Sequence, residues 1–448
     1  MAERKAVTTA PPDALTHQSW MRAVVQWSLR TGRLPATTLT RADWVYITSV
    51  FVLTRVFIFV LGIIGSAMFP SVVGLHTWSL QPISLLSSGS WLRVYNNFDS
   101  GWYLGISHHY LVPSSGDPDW LREWAFFPLY PIVLHGASLA LQVLHIPGDV
   151  DRIAGVLVSH AALFVAIIYL YRLVRAELNG AAAQRTVTYL LIFPTSLFLS
   201  AIYPEGLFLL TSVGAFYAAR RRYWAVAGIL AAAALLTRVQ GLVLLVPLGL
   251  EFVAAWRAEG RRFVVGLLRA GWLALPFVAL GGYALYSHAQ TGYWLAFVQA
   301  GHVWGRRVTP PIYPLIRYAL APSLGGAFTF DFGAANFASA IVFLVAGVIA
   351  ARRLPPIYAV WIWLGVLVPL SSGGHQLTSL TRYLVTDFPA FIAIAAWALG
   401  VRWSPTGTTH DKISATTLDL RDRVVVIPSL LLLALYVVMF TNGVWAAV

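Results

Sequence analysis

Residues 44–68, WVYITSVFVLTRVFIFVLGIIGSAM, decide the fold class. A predominantly apolar run of this length crosses a bilayer as a helix, which takes about 20 such residues. Comparable blocks recur at 153–172, 186–202, 206–219, 223–237, 240–256, 265–286, 336–351, 357–371, 383–400 and 424–446. The composition agrees. Of 448 residues, 58% are hydrophobic and only 11% charged, and the mean hydropathy is +0.70. The expectation is an all-α polytopic membrane protein, with 1–43 as a basic tail and 44–448 as one integral membrane domain. The chain has no cysteine, so disulfides and thiolate metal sites are excluded.

The formal charge is +13. The basic residues stand singly or in twos and threes between apolar blocks, a pattern of topology signals and anionic-lipid contacts, and nucleic acid is not an expected partner. The tail carries Arg4, Lys5, Arg22, Arg30, Arg33 and Arg41, has no signal-peptide apolar region, and suggests an interfacial helix near Trp20–Leu29. Basic connectors occur at Arg172/Arg175/Arg185, Arg220–Arg222, Arg257/Arg261/Arg262, Arg352–Arg353 and Arg402–Arg423. Even numbers of spans separate them, so all can face the cytoplasm together with the tail. That parity requires one of the blocks 126–144 and 153–172 not to cross. Block 126–144 opens with Pro128 and Pro131, which are expected to interrupt a helix there and make it interfacial or re-entrant. The result is about eleven spans in an inner, plasma membrane, with an inside N-terminus and large outer loops at 69–152 and 287–335.

The polar residues that invite chemistry then fall on the outer face. If Asp99 or Ser100 starts a short helix, then Asp99, Tyr103, Ile106/Ser107 and Tyr110 share one side. Asp99 reads either as a helix cap or as an acid that takes a proton from a substrate hydroxyl. Glu205, in Tyr203-Pro204-Glu205, is either a solvated turn acid or a pocket acid. Arg238 and Arg382 sit at outer helix ends, against the orientation bias, and suit a phosphate, although headgroup snorkelling is the alternative. The 287–335 loop adds His302, Trp304, Arg306, Arg307 and Arg317. Asp387 stands near Arg382 as a candidate salt-bridge partner. The five outer histidines, His108, His109, His288, His302 and His375, lack ligand spacing, and a divalent cation at Asp99 and Glu205 is a minor alternative.

Taken together these stretches resemble the PIG-V type mannosyltransferases, in particular bacterial members. The resemblance rests on Phe98-Asp99, Tyr103, Ile106-Ser107 and Tyr110; on Phe126-Phe127-Pro128-Leu129-Tyr130-Pro131; on Tyr203 and Glu205; on Thr237-Arg238 and Gly241; on Ala296-Phe297 and Trp304-Gly305-Arg306; and on Ser379, Arg382, Tyr383, Phe388 and Pro389. Phe98, His109, Val239 and Asp387 depart from the family pattern, which leaves acceptor preference open. The resemblance implies a GT-C glycosyltransferase fold. It implies a polyprenyl-phosphate sugar donor, typically mannose, used on the outer face without a metal, and a lipid or glycan acceptor. Asp99 is then the expected base. Arg238, Arg382 and Arg306 are the expected phosphate contacts, and Tyr103, Glu205, His375 and His109 the expected pocket. The same fold with glucose or arabinose, a non-catalytic polyisoprenoid-lipid transporter and a membrane scaffold are the rivals.

Overall fold

The computed structural model describes residues 32–68, 90–109, 120–260, 263–322, 332–372, 377, 379–404, 408–411 and 414–444. The expected helix at Trp20–Leu29, Tyr110 and His375 lie outside these. The described chain is helical almost throughout. Its sheet is a two-residue antiparallel pair, Val401–Arg402 with Thr409–His410.

The helices follow from apolar runs bounded by caps and prolines. Helix α1 (Arg41–Met68) starts at a reciprocal cap, with Thr40 N donating to Asp43 Oδ2 at 2.7 Å and Asp43 N to Thr40 Oγ1 at 3.2 Å. Next come α2 (Ser100–His109) and α3 (Leu129–Val143). Pro128 and Pro131 were expected to interrupt α3 and instead start it. Pro128 is the cap and Pro131 lies in the first turn, where a missing N–H costs no intrahelical bond. The fifteen residues of α3 reach about 22 Å at 1.5 Å per residue, short of a ~30 Å hydrocarbon core.

Asp149 caps α4 (Val150–Glu177) and Asn179 caps α5 (Gly180–Leu191), each accepting a backbone N–H. The expected span 186–202 does not continue as one helix. It stops at Leu191, passes Pro194, and resumes only as a 3₁₀ turn at Ser196–Leu199. Then follow α6 (Glu205–Arg220), α7 (Trp224–Thr237), α8 (Leu245–Ala258), α9 (Phe263–Trp272), α10 (Leu275–Thr291), α11 (Ala296–Val303) and α12 (Tyr313–Leu320). The last group is α13 (Phe332–Arg353), α14 (Pro356–Ser372), α15 (Leu380–Leu384), α16 (Phe388–Leu399) and α17 (Ala415–Thr441). The expected span 383–400 is divided in the same way as 186–202, with Asp387 and Pro389 restarting the helix as α16.

Among the described residues, six helical stretches are long and apolar enough to cross a membrane: Arg41–Ala67, Val150–Glu177, Val239–Ala258, Gly266–Thr291, Gly333–Arg353 and Ala415–Thr441. The shorter α3, α7, α14 and α16 are also apolar. The protein is therefore a multi-pass helical membrane protein. Its interior divides into two apolar clusters. The larger joins α4, α5, α6, α13, α14 and α16. The smaller is strongly aromatic, includes Tyr103, Trp124, Tyr130, Phe198, Tyr203, Tyr436 and Phe440, and surrounds the polar site described next.

Candidate active site

The N-terminal end of α6 gathers four charged side chains from four separate parts of the chain. Glu205 is the first residue of α6, where a carboxylate complements the helix dipole. Gly206 follows it because a Cβ there would stand 2.9 Å from the Ser159 carbonyl and 3.1 Å from that of Leu199. Close backbone packing thus buries Glu205 completely. Its Oε1 accepts from Arg382 Nε at 2.6 Å and from Arg238. Its Oε2 is buried and has no hydrogen-bond partner among the described residues.

Asp99 immediately precedes α2, and its carbonyl accepts from Trp102 N at 3.1 Å and Tyr103 N at 3.3 Å. Its backbone therefore occupies the cap position, while its carboxylate serves elsewhere: Arg382 Nη1 donates to Asp99 Oδ2 at 2.5 Å. The Tyr203 hydroxyl ties down the backbone on either side of Phe98. Asp99 N donates to the Tyr203 hydroxyl at 3.1 Å, and that hydroxyl donates to the Asn97 carbonyl at 3.0 Å. The preceding residue, Phe98, has φ 55°, a left-handed conformation that a bulky residue adopts only under constraint. Its ring packs on Phe440 of α17 at 5.7 Å.

Arg382 thus bridges both acids. It is only 4% exposed, and its guanidinium lies 4.5 Å from the Tyr203 ring centroid and 5.3 Å from that of Phe198. The backbone of its neighbour Thr381 is fixed from two sides, by Asn336 Oδ1 at 2.8 Å and Thr195 Oγ1 at 2.9 Å. Arg238 is the C-cap of α7 and also binds Gln240 Oε1 at 3.2 Å. Gly241 ends that turn because a Cβ would fall 2.3 Å from the Leu235 nitrogen.

Tyr383 links a third arginine to the group. Arg238 lies 4.8 Å over its ring, and Arg306 Nη2 donates to its hydroxyl at 2.6 Å. Burial pushes the Tyr383 phenol up, but Arg306, Arg238 and Arg382 outweigh it and hold the phenol below the ordinary tyrosine range. The local field therefore favours added negative charge.

The expected site residues divide accordingly. Asp99, Glu205, Arg238 and Arg382 meet directly, and Arg306 joins them through Tyr383. Tyr103 is buried beside them, its ring 6.1 Å from Tyr203 and 5.1 Å from Phe126. His109 lies at the far end of α2, 3.4 Å from Glu123, and His108 lies 3.3 Å from Asp151. Asp387 is not the ion-pair partner of Arg382. Arg382 turns to Asp99 and Glu205, and both Asp387 oxygens are buried without a partner among the described residues, close against Gly365. Among the described residues, no three His, Asp or Glu side chains converge as metal ligands.

One contributor was hidden inside an apolar run. Arg55 of α1 is buried, and its guanidinium donates to Leu191 O at 2.8 Å, Ser196 O at 3.1 Å and Ser200 Oγ at 2.7 Å. It satisfies carbonyls freed where α5 breaks, in the segment that leads to Tyr203 and Glu205. The only signal in the sequence is a cation within an otherwise apolar span.

The fold and this group of side chains define a class: a multi-pass helical membrane protein with two acids and three arginines gathered at one end of its bundle. The chain belongs to the mannosyltransferase (PIG-V) family, whose family model matches residues 44–316. Arg382 and Tyr383 lie beyond the matched residues. No curated protein matches. Solved structures that are similar include the oligosaccharyltransferase of Archaeoglobus fulgidus tethered with an acceptor peptide, at 13% identity over 89% of this chain and 55% of that one, TM-score 0.44. Its apo form aligns at 13% over 89% and 57%, TM-score 0.45. The archaeal oligosaccharyltransferase AglB from the same organism, with an inhibitory peptide and a dolichol-phosphate, aligns at 13% over 89% and 56%, TM-score 0.45. The chain spans about half the length of these proteins.

Proposed function

We propose that this protein transfers a sugar, mannose by family, from a polyprenyl-phosphate donor to an acceptor hydroxyl on the non-cytoplasmic face, within a GT-C type fold. The observation that carries the reading is the bridge of Arg382 between Asp99 and Glu205, with Arg238 and the Arg306–Tyr383 pair beside it. Such a site offers an acid able to accept a proton and guanidinium groups able to hold a phosphate.

The chemistry is a single displacement. The acceptor oxygen bonds to the anomeric carbon and its proton passes to Asp99. The bond from that carbon to the phosphate oxygen breaks, and polyprenyl phosphate leaves with the electron pair. Configuration inverts. Arg238, Arg382 and Arg306 meet the charge that develops on the leaving phosphate, in place of a metal. In the structure Arg382 occupies Asp99 Oδ2. A donor phosphate competing for that guanidinium would leave the oxygen to the acceptor hydroxyl. The buried, unpartnered Oε2 of Glu205 is suited to a sugar hydroxyl, and Tyr103 packs the wall behind it.

The test is Asp99→Asn in purified, folded protein given a polyprenyl-phosphate mannose and an acceptor lipid. Transfer should fall by about 10²–10⁴-fold, the range for loss of a general base. Undiminished transfer would sink the base assignment. Transfer of glucose or arabinose alone would move the sugar within the same mechanism. Lipid movement across vesicles without glycosyl transfer would favour a transporter.

A further inference from the structure

The opposite end of the bundle holds a second concentration of arginines that glycosyl transfer does not use. A cavity of about 440 Å³ opens there between the chain entering α1, the α6–α7 connection and helices α8 and α9, lined by Gly32, Arg33, Arg222, Tyr223, Glu259 and Arg269. A second cavity of about 330 Å³ shares Glu259 and Arg269 with it and reaches inward to Trp224 and Trp256.

The charges in the larger cavity do not cancel. Arg33, Arg222 and Arg269 face it against the single carboxylate of Glu259, which binds Arg269 and stands 3.8 Å from Arg222 Nε. Arg222 also donates to Glu251 at 2.7 Å, within the buried group that Glu251 forms with Arg220, and Arg269 is bound to Glu259, so the surplus positive charge is that of Arg33. Tyr223 stands among the cations, with the Arg33 guanidinium 5.1 Å and that of Arg221 5.5 Å from its ring. A hydrogen bond from Arg221, with the charges of Arg33 and Arg221, holds the Tyr223 phenol below its usual range. Exposed apolar side chains run away from this end along the bundle surface: Val226 and Ile229 on α7, Leu267 and Leu268 on α9. A polar cationic mouth above an apolar flank has the two-part chemistry of a phospholipid.

We propose that this cavity is a binding site for an anionic glycerophospholipid, its phosphate held by Arg33, Arg222 and Arg269 and its acyl chains lying on the α7 and α9 flank. Phosphate is the chemistry that the arginines select. The apolar flank is what favours a lipid over free phosphate. Arg33 is the best probe, being exposed and outside every helix.

The test uses the full chain in neutral detergent, with thermal unfolding and native mass spectrometry read in parallel. Phosphatidylglycerol should raise the melting temperature by several degrees and appear as a retained adduct. Phosphatidylcholine and inorganic phosphate should do neither. Arg33→Gln should cut adduct occupancy about tenfold, the effect of one charge-assisted phosphate contact of roughly 1.4 kcal/mol, while melting as the parent does without lipid. Arg269→Gln is the second variant, should Arg33→Gln not accumulate. Three results overturn the proposal: equal stabilisation by phosphatidylcholine, equal stabilisation by inorganic phosphate, or undiminished adduct in both variants.

Discussion

Helix α6 carries a charged cluster at each end, and the two are built differently. At its C-terminal end Arg220 donates to Glu177 Oε1 at 2.6 Å, to Glu177 Oε2 at 3.1 Å and to Glu251 Oε1 at 3.0 Å. Tyr358 adds a hydrogen bond to Glu177 at 2.9 Å, and Arg222 one to Glu251 at 2.7 Å. Two cations meet two anions, and Arg220, Glu177 and Glu251 are all 5% exposed or less. At the N-terminal end Asp99 and Glu205 meet Arg238 and Arg382, with Arg306 as a third cation. There the side chains of Asp99 and Arg238 keep 19% and 11% exposure. The first cluster is balanced and sealed, as a tertiary lock must be when charge is buried. The second has excess positive charge and an opening, as a site that admits an anion must.

The sharpest way to break this contrast is to damage both ends and compare. Glu177→Gln should destabilise the protein by about 3–5 kcal/mol, since it leaves Arg220 and Arg222 to share the single carboxylate of Glu251 in a buried site. The molecules that do fold should keep normal turnover. Asp99→Asn, at a carboxylate that keeps 19% exposure, should cost less stability than Glu177→Gln and abolish most turnover. If Glu177→Gln slows transfer per folded molecule as strongly as Asp99→Asn does, the division of labour is wrong.

A smaller effect is expected at the bridge. Arg382→Lys keeps the charge but offers one point of contact where two acids need a fork, so kcat should drop about 10²-fold. A lysine variant as fast as the parent would mean that bridging is irrelevant. Arg306→Gln should mainly raise the donor KM, by roughly tenfold, in keeping with one charged phosphate contact. An unchanged KM would remove Arg306 from the donor site. The mildest change is Tyr383→Phe. It frees Arg306 from its 2.6 Å hydrogen bond and should cost a few-fold in donor KM, about 0.5–1.5 kcal/mol. A larger loss in kcat than in KM would place the phenol nearer the reacting atoms.

The apolar blocks were legible because burial in lipid demands length and hydrophobicity together. The breaks in them were not. Residues 186–202 and 383–400 remain apolar through Pro194 and Asp387, so composition alone draws an uninterrupted span where the helix stops and restarts. Those breaks are what carry Glu205 and Arg382 to one place. Asp99, Glu205, Arg238 and Arg382 could be singled out individually, since each is a charge at an apolar boundary. Their pairing could not, because Asp99 and Arg382 are 283 residues apart and Asp387 offered a nearer partner. Arg55 reads in sequence as an oddity within a span. Only its acceptors at Leu191, Ser196 and Ser200 reveal that it supports the break after α5.

Phe440 has a consequence for how the protein comes into being. Its ring packs against Phe98 at 5.7 Å, Phe198 at 5.5 Å and Tyr203 at 6.2 Å, the three aromatic residues that frame Asp99 and Arg382. Translation reaches Phe440 more than 300 residues after Asp99. Until α17 has been made and inserted, the nascent chain lacks the wedge that supports Phe98 in its left-handed conformation. The acid and its arginines can be in the membrane well before they are in register. We expect chains halted before residue 415 to insert without transferring sugar, and activity to emerge only with α17, supplied in the same chain or as a separate segment. Transfer by a chain halted there would show that the site matures without it.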